Sequence, residues 1–379
     1  MILDRSTRVL VGVREMANNV FEIAAALAPF CARVDTIAVV NRFYPSNHYT
    51  HALRPKSRIA MRLQLMRRFF TAAARYDLFI FVSGMSFFPG HLDLPLLRAM
   101  GKTIVMMNVG DDVRFRPIHS RLDQALIGRQ PIPAVDGLSS TRHFLRTLLA
   151  QKAAESLCNR VVSMRNQATF QSKPFHFFRF PMRRLRASPK RPSTPPLIVH
   201  APSDPASKGT KIVAEAMRLL AARRLDFRYE LIMNRDNAYV VDRLQLADIL
   251  IDQPATWIAR LAVEAMACSC VVLGGNDTEY EGAPADEGSP VQPFEADPSA
   301  LAQRVESLLA DVELRGRLMS QSFEYWQRVY SPGAFARYFI NVMEGRGPLV
   351  APRPRHKAML LAAARNPFER LMIRAMVRG

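Results

Sequence analysis

Short apolar runs alternate along the chain with longer stretches whose apolar residues recur at helical spacing. Short runs rich in β-branched and aromatic residues are typical of strands, and the longer periodic stretches are typical of helices. In the first half, Asn18–Leu27 predicts a helix. The predicted strands there are Arg8–Val13, Val34–Val40, Leu78–Ser83 and Lys102–Met107. This alternation predicts the α/β class with doubly wound parallel sheets.

One segment interrupts the alternation. Residues 180–196 (FPMRRLRASPKRPSTPP) combine proline, serine and positive charge, which is typical of an interdomain linker. A chain of 379 residues also exceeds the size at which one hydrophobic core usually stops growing. We therefore predict two Rossmann-like domains facing a central cleft, at 1–182 and 197–345, with a linker at 183–196 and a basic tail at 346–379.

Composition limits the class of protein. Hydrophobic residues make up 49% of the chain, but no run of about 18 apolar residues occurs, so no transmembrane helix is expected. The start, MILDRSTRVLVGV, does not fit a signal peptide. The cysteines follow no CxxC or Cys/His pattern, so we expect core thiols in a reducing cytoplasm and no zinc: Cys31, Cys158, Cys268 and Cys270.

The net charge of +19 is concentrated in a few segments. Between Asp35 and Asp77 the chain has no acid and eight lysines or arginines. Apolar residues recur there at helical spacing, with arginines on the other faces of the predicted helix: Ile59, Leu63, Met66, Phe70 and Ala73. Residues 346–379 carry another eight lysines or arginines against one acid, Glu369.

The basic tail contains a second predicted helix. Asn366 is a favourable N-cap, Pro367 suits the first helical position, and Glu369 stands three residues after the cap. One face of this helix carries Arg370, Arg374 and Arg378. The apolar contacts come from Phe368, Leu371, Met372 and Met376.

Anionic lipid, nucleic acid or an anionic substrate could each account for this charge. A basic amphipathic helix is typical of a membrane-surface element. An arginine-rich soluble protein would carry the same charge, so both interpretations stay open. No helix-turn-helix, zinc-finger or aromatic RNA-reading pattern accompanies the basic runs, and we expect no nucleic-acid partner.

Candidate chemistry lies in residues 197–273. The apolar run Leu197–His200 is followed by a loop and then by Lys208-Gly209-Thr210 at the start of an amphipathic helix. A strand that leads into a helix N-terminus forms an anion site, because unpaired backbone N–H groups and the helix dipole point outward. A second apolar run, Ile249–Ile251, leads to a helix that carries Glu264, whose carboxylate suits a ribose diol. These segments predict half of a nucleotide-sugar site.

The segments HAPS…KGT, ADI…DQ and AVEAMA, in this order, resemble the C-terminal domain of GT-B glycosyltransferases, in the family-4-like, retaining group. The resemblance extends loosely to YDLFIFVSG and DLPLLRAMGKTIVMMNVGDDVRF, over roughly residues 75–340. It implies transfer of a sugar from a nucleotide-diphosphate donor to a hydroxyl acceptor with retention. It also implies that neither a metal nor a further cofactor is needed, and the pair Asp111-Asp112 has no neighbouring ligands that would complete a metal site.

The resemblance assigns catalytic roles to Lys208 and Glu264. Lys208 would neutralise the donor diphosphate and the charge that grows on it, and Glu264 would bind the ribose. A lone lysine at a helix start is usually solvated, but the flanking HAPS and KGT segments favour the functional role for Lys208. His200 stands at a strand end, which favours a packed or hydrogen-bonded histidine over a catalyst. The donor-binding set is His200, Ser203, Lys208, Gly209, Thr210, Asp252, Thr256 and Glu264.

The sequence departs from the family pattern at several positions. Thr256 stands where the first glutamate of an E-x7-E pair is common, and Val109 stands where histidine is common. The loop after the first strand has one glycine, Gly12, where several are usual. The candidates on the acceptor side or in the cleft are Gly12, Arg14, Asp112 and Arg114. Arg14 could contact phosphate or pair with a nearby glutamate, and Asp112 with Arg114 could bind acceptor or hold the loop.

We therefore predict a cytoplasmic, membrane-peripheral glycosyltransferase of the retaining, hexosyltransferase type, acting in polysaccharide or glycolipid synthesis. Its partners would be a nucleotide sugar, a saccharide or lipid-linked acceptor, and an anionic membrane surface. The alternative is a catalytically degenerate GT-B protein that serves as a binding or scaffold partner. The altered positions Thr256 and Val109 favour that alternative, whereas Lys208 and Glu264 oppose it.

Overall fold

The computed structural model describes residues 3–40, 44, 47–110, 112–127 (122–127 for the backbone), 139–164, 168–205, 208–253, 258–275, 288–294, 296–352 and 356–377. The chain divides into two compact units. The first unit consists of Met1–Asn41, Ser46–Phe178 and Ala336–Gly379, and the second consists of Arg42–Pro45 and Arg179–Phe335.

The first unit is built on an eight-stranded sheet with the order β12-β7-β6-β5-β4-β1-β2-β3. All neighbouring strands are parallel except β12 and β7. The four strands predicted in this half are confirmed to within one residue at each end. The strands are β1 (Arg8–Arg14), β2 (Arg33–Val39), β3 (His51–Leu53), β4 (Leu78–Val82), β5 (Thr103–Met107), β6 (Arg160–Ser163), β7 (Phe175–Phe177) and β12 (Leu349–Val350).

Helices connect these strands and cover the sheet. The crossover helices in the first unit are α1 (Asn19–Leu27), α2 (Arg58–Arg75), α3 (Leu94–Ala99), α4 (Arg116–Ile127) and α5 (Thr141–Leu157). The chain returns to this unit through α11 (Pro332–Met343), α12 (His356–Ala363) and α13 (Pro367–Met376). Every residue of β4 is buried, as expected for a central parallel strand. Within the described residues, no helix is both long and apolar enough to cross a membrane.

Helix α2 buries a different face from the stripe that its sequence suggested. The residues packed into the core are Leu65, Phe69, Ala72 and Ala73. Of the predicted stripe, Ile59, Leu63, Met66 and Phe70 are exposed, and Ala73 alone is buried. The helix therefore has two apolar faces, and one of them remains in contact with solvent.

The second unit is built on a four-stranded parallel sheet with the order β11-β10-β8-β9. Its strands are β8 (Leu197–His200), β9 (Arg228–Leu231), β10 (Ile249–Ile251) and β11 (Val271–Leu273). Its helices are α6 (Thr210–Ala222), α7 (Asn237–Leu246), α8 (Arg260–Ala267), α9 (Pro298–Ala310) and α10 (Val312–Tyr325). The predicted strands at 197–200 and 249–251 are confirmed.

The predicted linker packs within the second unit, which begins at Arg179 and thus before the predicted boundary. Ser193 donates its backbone N–H to Asp248 Oδ1 at 2.7 Å, and Lys190 Nζ donates to the backbone oxygen of Leu244 at 3.0 Å. Arg315 is fully buried and donates to the backbone oxygen of Ser193 at 3.1 Å. These contacts attach residues 190–193 to the sheet and to α10.

The C-terminal residues belong to the first unit, whereas the sequence suggested a separate tail after residue 345. Ile373 of α13 and Leu360 of α12 pack in one apolar cluster with Phe115, Phe144 and Phe170. The burial of these large apolar side chains stabilises the attachment of both helices.

The N-terminus of α13 has the predicted cap. The Asn366 side chain accepts a hydrogen bond from the Glu369 backbone N–H at 2.9 Å. The carboxylate of Glu369 is buried and forms an ion pair with Arg365, whose guanidinium lies 4.6 Å from the ring centre of Phe115. Arg370 and Arg374 are exposed, and Arg378 lies outside the described residues.

The cysteines are free thiols. Cys268 and Cys270 are buried, as predicted for core thiols, and burial raises the pKa of both. Burial also raises the pKa of Cys31 to about 11 and that of Cys158 to about 12. A thiol with a raised pKa carries little thiolate at neutral pH, so none of the four is activated as a nucleophile.

Candidate functional site

The carboxyl ends of β8 and β10 bring several predicted donor-site residues together. The two strands are adjacent and parallel, with Ile249 opposite Ile198. His200 ends β8, and Asp252 follows β10 directly. Lys208, in the loop after β8, places Nζ 3.3 Å from Asp252 Oδ1. The lysine side chain is 16% exposed and the aspartate 3% exposed, so a half-enclosed ion pair lies at this edge of the sheet.

His200 connects this edge to the start of α6. Its Nδ1 lies 2.8 Å from the backbone oxygen of Ile251, and its Nε2 lies 3.0 Å from Thr210 Oγ1. A carbonyl oxygen only accepts, so Nδ1 carries the proton and Nε2 accepts from the Thr210 hydroxyl. Burial lowers the pKa of His200, which keeps the ring neutral. The structure therefore supports the packed, hydrogen-bonded interpretation of this histidine.

The loop that carries Lys208 is held by backbone hydrogen bonds. The N–H of Lys208 donates to the oxygen of Asp204, and that of Thr210 donates to the oxygen of Pro205, both at 3.1 Å. Gly209 is the N-cap of α6 with φ of 67°, a left-handed conformation that glycine adopts without a Cβ clash. Ser203 is exposed. These features place the lysine beside the N-terminus of α6, but the backbone N–H groups of Lys208 and Thr210 are already hydrogen-bonded within the protein.

Glu264 belongs to a second group of residues. Its side chain is 2% exposed, and its Oε1 accepts from Asn237 Nδ2 at 3.0 Å and from Arg260 Nε at 3.3 Å. Arg260 also donates to the backbone oxygen of Pro181 at 2.6 Å. Within the described residues, Oε2 of Glu264 receives no hydrogen bond. The buried carboxylate is thus paired inside the protein through one of its two oxygens.

Sequence reasoning missed Asn237 and Arg260. The spacing of Arg260 and Glu264, four residues apart on one helix, indicates a possible ion pair and could have identified the arginine. Asn237 begins α7, and nothing in the sequence connects it to α8. Thr256, together with its neighbours at 254, 255 and 257, lies outside the described residues.

Gln253 is a further polar residue at the carboxyl end of β10. Its side chain is buried, and its Nε2 has no hydrogen-bond partner within the described residues. A buried donor without an acceptor costs about 1–3 kcal/mol. An acceptor atom of a bound ligand would remove that cost, so Gln253 joins Asp252 and Lys208 as a candidate contact. The sequence showed this glutamine in the DQ segment but gave it no role.

In the first unit, Gly12 has a packing role. A Cβ built at Gly12 would lie 2.3 Å from the backbone oxygen of Ile37, so only glycine fits between β1 and β2. Arg14 is exposed at the end of β1 and, in the part of the chain that the structure describes, forms no ion pair. Pairing with a glutamate is therefore not supported by a contact among the described residues, and contact with phosphate stays a prediction.

The N-terminus of α1 is already occupied by a carboxylate. Glu15 is buried and accepts the backbone N–H of Val20 and that of Phe21, each at 3.3 Å. The hydroxyl of Tyr49 donates to the same carboxylate at 2.9 Å. Glu15 therefore binds the helix amides where the family pattern predicts a glycine-rich loop next to the donor phosphates. The single glycine of this loop, Gly12, is explained by the packing of β1 against β2, and the amides of α1 are hydrogen-bonded by Glu15.

Asp112 holds its own loop. Its Oδ1 accepts the N–H of Gly110 at 2.6 Å, and its Oδ2 accepts the N–H of Val109 at 3.1 Å. A Cβ at Gly84, whose φ is +56°, would lie 2.5 Å from the Asp112 Cβ, so the two loops pack closely. These contacts support the loop-holding interpretation of Asp112, with Arg114 near enough to act on it by charge. Asp111 lies outside the described residues.

Replacing Asp112 with asparagine is expected to change the pH dependence of stability. Burial raises the pKa of Asp112 to about 6, against the hydrogen bonds and the charge of Arg114, which act in the opposite direction. The folded protein then binds more protons than the unfolded chain between about pH 4 and 6, so this group makes the free energy of unfolding fall as pH rises through that window. The fall is at most about 3 kcal/mol, at about 1.4 kcal/mol per pKa unit.

Urea unfolding from pH 4 to 7, followed by circular dichroism, would measure this effect. The Asp112→Asn variant should lose the Asp112 contribution, and its free energy of unfolding should rise relative to wild type as pH increases. Other carboxylates are common to both proteins and cancel in the difference. A constant difference across the range would contradict the assigned burial of this charge.

No protein-family model matches the sequence, and no curated protein matches it. Solved structures do match. Sucrose-phosphate synthase from Thermosynechococcus elongatus matches with a TM-score of 0.59 at 14% identity, over 90% of this chain and 99% of that chain. HepE from Anabaena, in complex with UDP and glucose, matches with a TM-score of 0.56 at 11% identity, over 89% of this chain and 100% of that chain.

A third match is an alpha-glucosyltransferase in complex with UDP-glucose and DNA containing an abasic site. It has a TM-score of 0.58 at 9% identity, over 89% of this chain and 100% of that chain. At such identities the likeness establishes the fold. The chain has the fold of GT-B glycosyltransferases, which confirms the predicted fold class.

Proposed function

We propose that this chain is a retaining, hexosyltransferase-type glycosyltransferase. It moves a sugar from a nucleotide-diphosphate donor to a hydroxyl of a saccharide or lipid-linked acceptor, in polysaccharide or glycolipid synthesis. One observation carries the proposal: the half-enclosed Lys208–Asp252 pair beside the N-terminus of α6, at the carboxyl end of a parallel sheet. Ligands of open parallel sheets bind at this edge.

The ion pair suggests how the donor diphosphate is held. Asp252 fixes the ammonium of Lys208, while the remaining exposure of the lysine leaves it open to a second anion. As the bond from the sugar C1 to the diphosphate oxygen breaks, negative charge grows on that oxygen, and a cation already in place stabilises it. The acceptor oxygen bonds to C1 on the same face, and its proton passes to the leaving diphosphate oxygen.

Glu264 and Gln253 complete the proposed donor site. The free Oε2 of Glu264 would accept from the ribose hydroxyls, while Arg260 and Asn237 hold Oε1 and fix the carboxylate. The Nε2 of Gln253, which has no hydrogen-bond partner within the described residues, would donate to an oxygen of the donor. Binding of the donor would then satisfy this buried polar group.

A second candidate function is a GT-B protein without activity that binds a partner or serves as a scaffold. Two observations favour it. The carboxylate of Glu15 occupies the amides of α1, and the pairing of Glu264 with Arg260 explains its burial without a ligand. The Nε2 of Gln253, without a partner in the part of the chain that the structure describes, and the placement of Lys208 favour the enzyme.

The proposed location is the cytoplasm, at the inner surface of a membrane. The charge of +19 supports it, because clustered arginines are attracted to anionic lipid.

Calorimetric titration with UDP, GDP and ADP tests the donor site. We expect one of them to bind saturably, and we expect Glu264→Gln to weaken it about fivefold to tenfold, since the glutamine keeps an acceptor for Asn237 but loses the charged acceptor for the ribose. Lys211→Ala removes an exposed lysine of α6, three residues after Lys208, and as the control should bind like wild type. An absence of binding to all three nucleotides would leave the scaffold function standing.

A further inference from the structure

Helix α2 presents an apolar row to solvent. Ile59, Leu63, Met66 and Phe70 are exposed to 72%, 53%, 45% and 68%. Their spacing of four, three and four residues places them within about 60° of the helix circumference, at 3.6 residues per turn. We call these four residues the outer row. The opposite apolar face, with Leu65 and Phe69, is packed in the core, so the outer row is not needed to attach the helix.

The outer row lies in a strongly positive environment. Arg62 and Arg67 flank it on the helix, and all five arginines of α2 are exposed. Within the described residues, none of the five forms an ion pair, and the chain has no acid between Asp35 and Asp77. An arginine without a carboxylate partner, next to exposed apolar side chains, is arranged for a surface that offers both phosphate and hydrocarbon.

A second apolar row lies on the same face of the sheet. The connections β3–α2–β4 and β4–α3–β5 run in the same direction along the sheet, so right-handed crossovers place α2 and α3 on one face. Their core residues share one cluster, in which the ring centres of Phe69 and of Phe87, ahead of α3, lie 5.7 Å apart in an edge-to-face arrangement. The exposed apolar residues in α3 and at its two ends recur every four positions: Leu92, Leu96 and Met100.

We propose that the outer row of α2 is a docking surface for an anionic lipid bilayer. The four side chains enter the apolar boundary of the bilayer, and the flanking arginines bind lipid phosphates. Charge complementarity selects this occupant, because a neutral partner would leave the arginines unpaired. The inference specifies the membrane partner of the proposed function, and it is independent of the nucleotide site in the second unit.

The structure distinguishes this surface from the basic tail. Helix α13 also exposes two apolar residues, Phe368 and Leu371, beside Arg370 and Arg374. Its inner face, however, carries an internal ion pair between Arg365 and Glu369. The outer row is longer and more exposed than the apolar pair of α13, and it is free of acids. Membrane binding should therefore depend on α2 and not on α13.

Vesicle sedimentation of the full chain tests the proposal. Vesicles of equal parts phosphatidylglycerol and phosphatidylcholine should bind the wild type, and phosphatidylcholine alone should bind it at least about tenfold more weakly. Leu63→Ser/Phe70→Ser should weaken binding to the anionic vesicles by at least about tenfold, because both side chains leave the bilayer. Arg62→Gln/Arg67→Gln should weaken binding to the anionic vesicles and reduce its salt dependence.

Two controls isolate the surface. Leu246→Ser removes an exposed leucine of similar exposure on α7, and Phe368→Ser/Leu371→Ser removes the tail residues; both should bind vesicles like wild type. All these side chains are exposed, so we expect the variants to unfold at the wild-type temperature. An unchanged unfolding temperature will show that they fold. Equal binding of wild type and the Leu63→Ser/Phe70→Ser variant would overturn the proposal, as would loss of binding in the tail variant alone.

A reporter at the outer row gives a second measurement. Phe70→Trp should show a blue-shifted emission when anionic vesicles are added, whereas Leu246→Trp should not. A lack of wild-type binding to anionic vesicles would overturn the proposal. If the wild type instead self-associates through the outer row, this face is an interface between two copies of the chain. Nucleotide titration of the Leu63→Ser/Phe70→Ser variant should match wild type. Vesicle binding without nucleotide binding would therefore reject the donor site alone.

Discussion

Replacing Lys208 with alanine is expected to lower the rate of nucleotide release from the donor sugar by about 100-fold to 1,000-fold. The loss follows from removing one preset charge at the oxygen where negative charge develops in the transition state. The Lys208→Ala protein should also bind the nucleoside diphosphate more weakly, because the ammonium is lost while the carboxylate of Asp252, 3.3 Å away, remains. The measurement is nucleotide release from the nucleotide sugar that calorimetry selects, with and without saccharide acceptors.

Two matched variants separate charge from packing at this position. Lys208→Arg keeps the cation and should retain more activity than Lys208→Ala. Lys211→Ala removes an exposed lysine three residues further along and should leave both rate and affinity unchanged. If Lys208→Ala binds nucleotide as tightly as wild type, the donor site has been assigned to the wrong edge of the sheet.

Replacing Arg260 with methionine is expected to destabilise the second unit by about 3–5 kcal/mol. Methionine fills a similar volume but leaves the Glu264 carboxylate buried with Asn237 as its remaining described partner. Removing one member of a buried ion pair costs this much because the other charge stays in a low-dielectric site. The hydrogen bond from Arg260 to the oxygen of Pro181 is lost as well.

Tryptophan fluorescence during urea unfolding measures the stability of the second unit. Trp326 is buried in the second unit, so its emission follows that unit. The double variant Arg260→Met/Glu264→Leu removes both charges and should recover most of the lost stability, since an apolar pair of similar volume replaces the ions. If the single and double variants are equally destabilised, packing and not charge explains the loss.

The strands and the order of the candidate motifs could be predicted from the sequence because their signals are local. Leu197–His200 and Ile249–Ile251 are apolar runs bounded by loops, and the structure has both with the predicted limits. The cap at Asn366 is also a short-range signal, since the cap and its partner Glu369 are three residues apart.

Other features depended on tertiary contacts and could not be predicted. Helix α2 has two apolar faces, and periodicity cannot decide which one packs on the sheet; Phe69 and Leu65 do so because they meet the aromatic residues of the core. Glu15 lies only five residues before Val20, but the Tyr49 hydroxyl that donates to its carboxylate beside the α1 amides is 34 residues away. The partner of Glu264 at Asn237 is 27 residues away and on another helix.

The attachment of α12 and α13 to the first unit has a consequence for how the protein is made. Phe115, Phe144 and Phe170 are synthesised before the second unit, but Leu360 and Ile373, which cover them, are synthesised after it. During translation the second unit can complete its core from a nearly continuous segment. The first unit must hold an uncovered aromatic cluster until the last helices leave the ribosome. Domains usually fold in N-terminal order during synthesis, but here the first unit can complete this cluster only after the second unit has been synthesised.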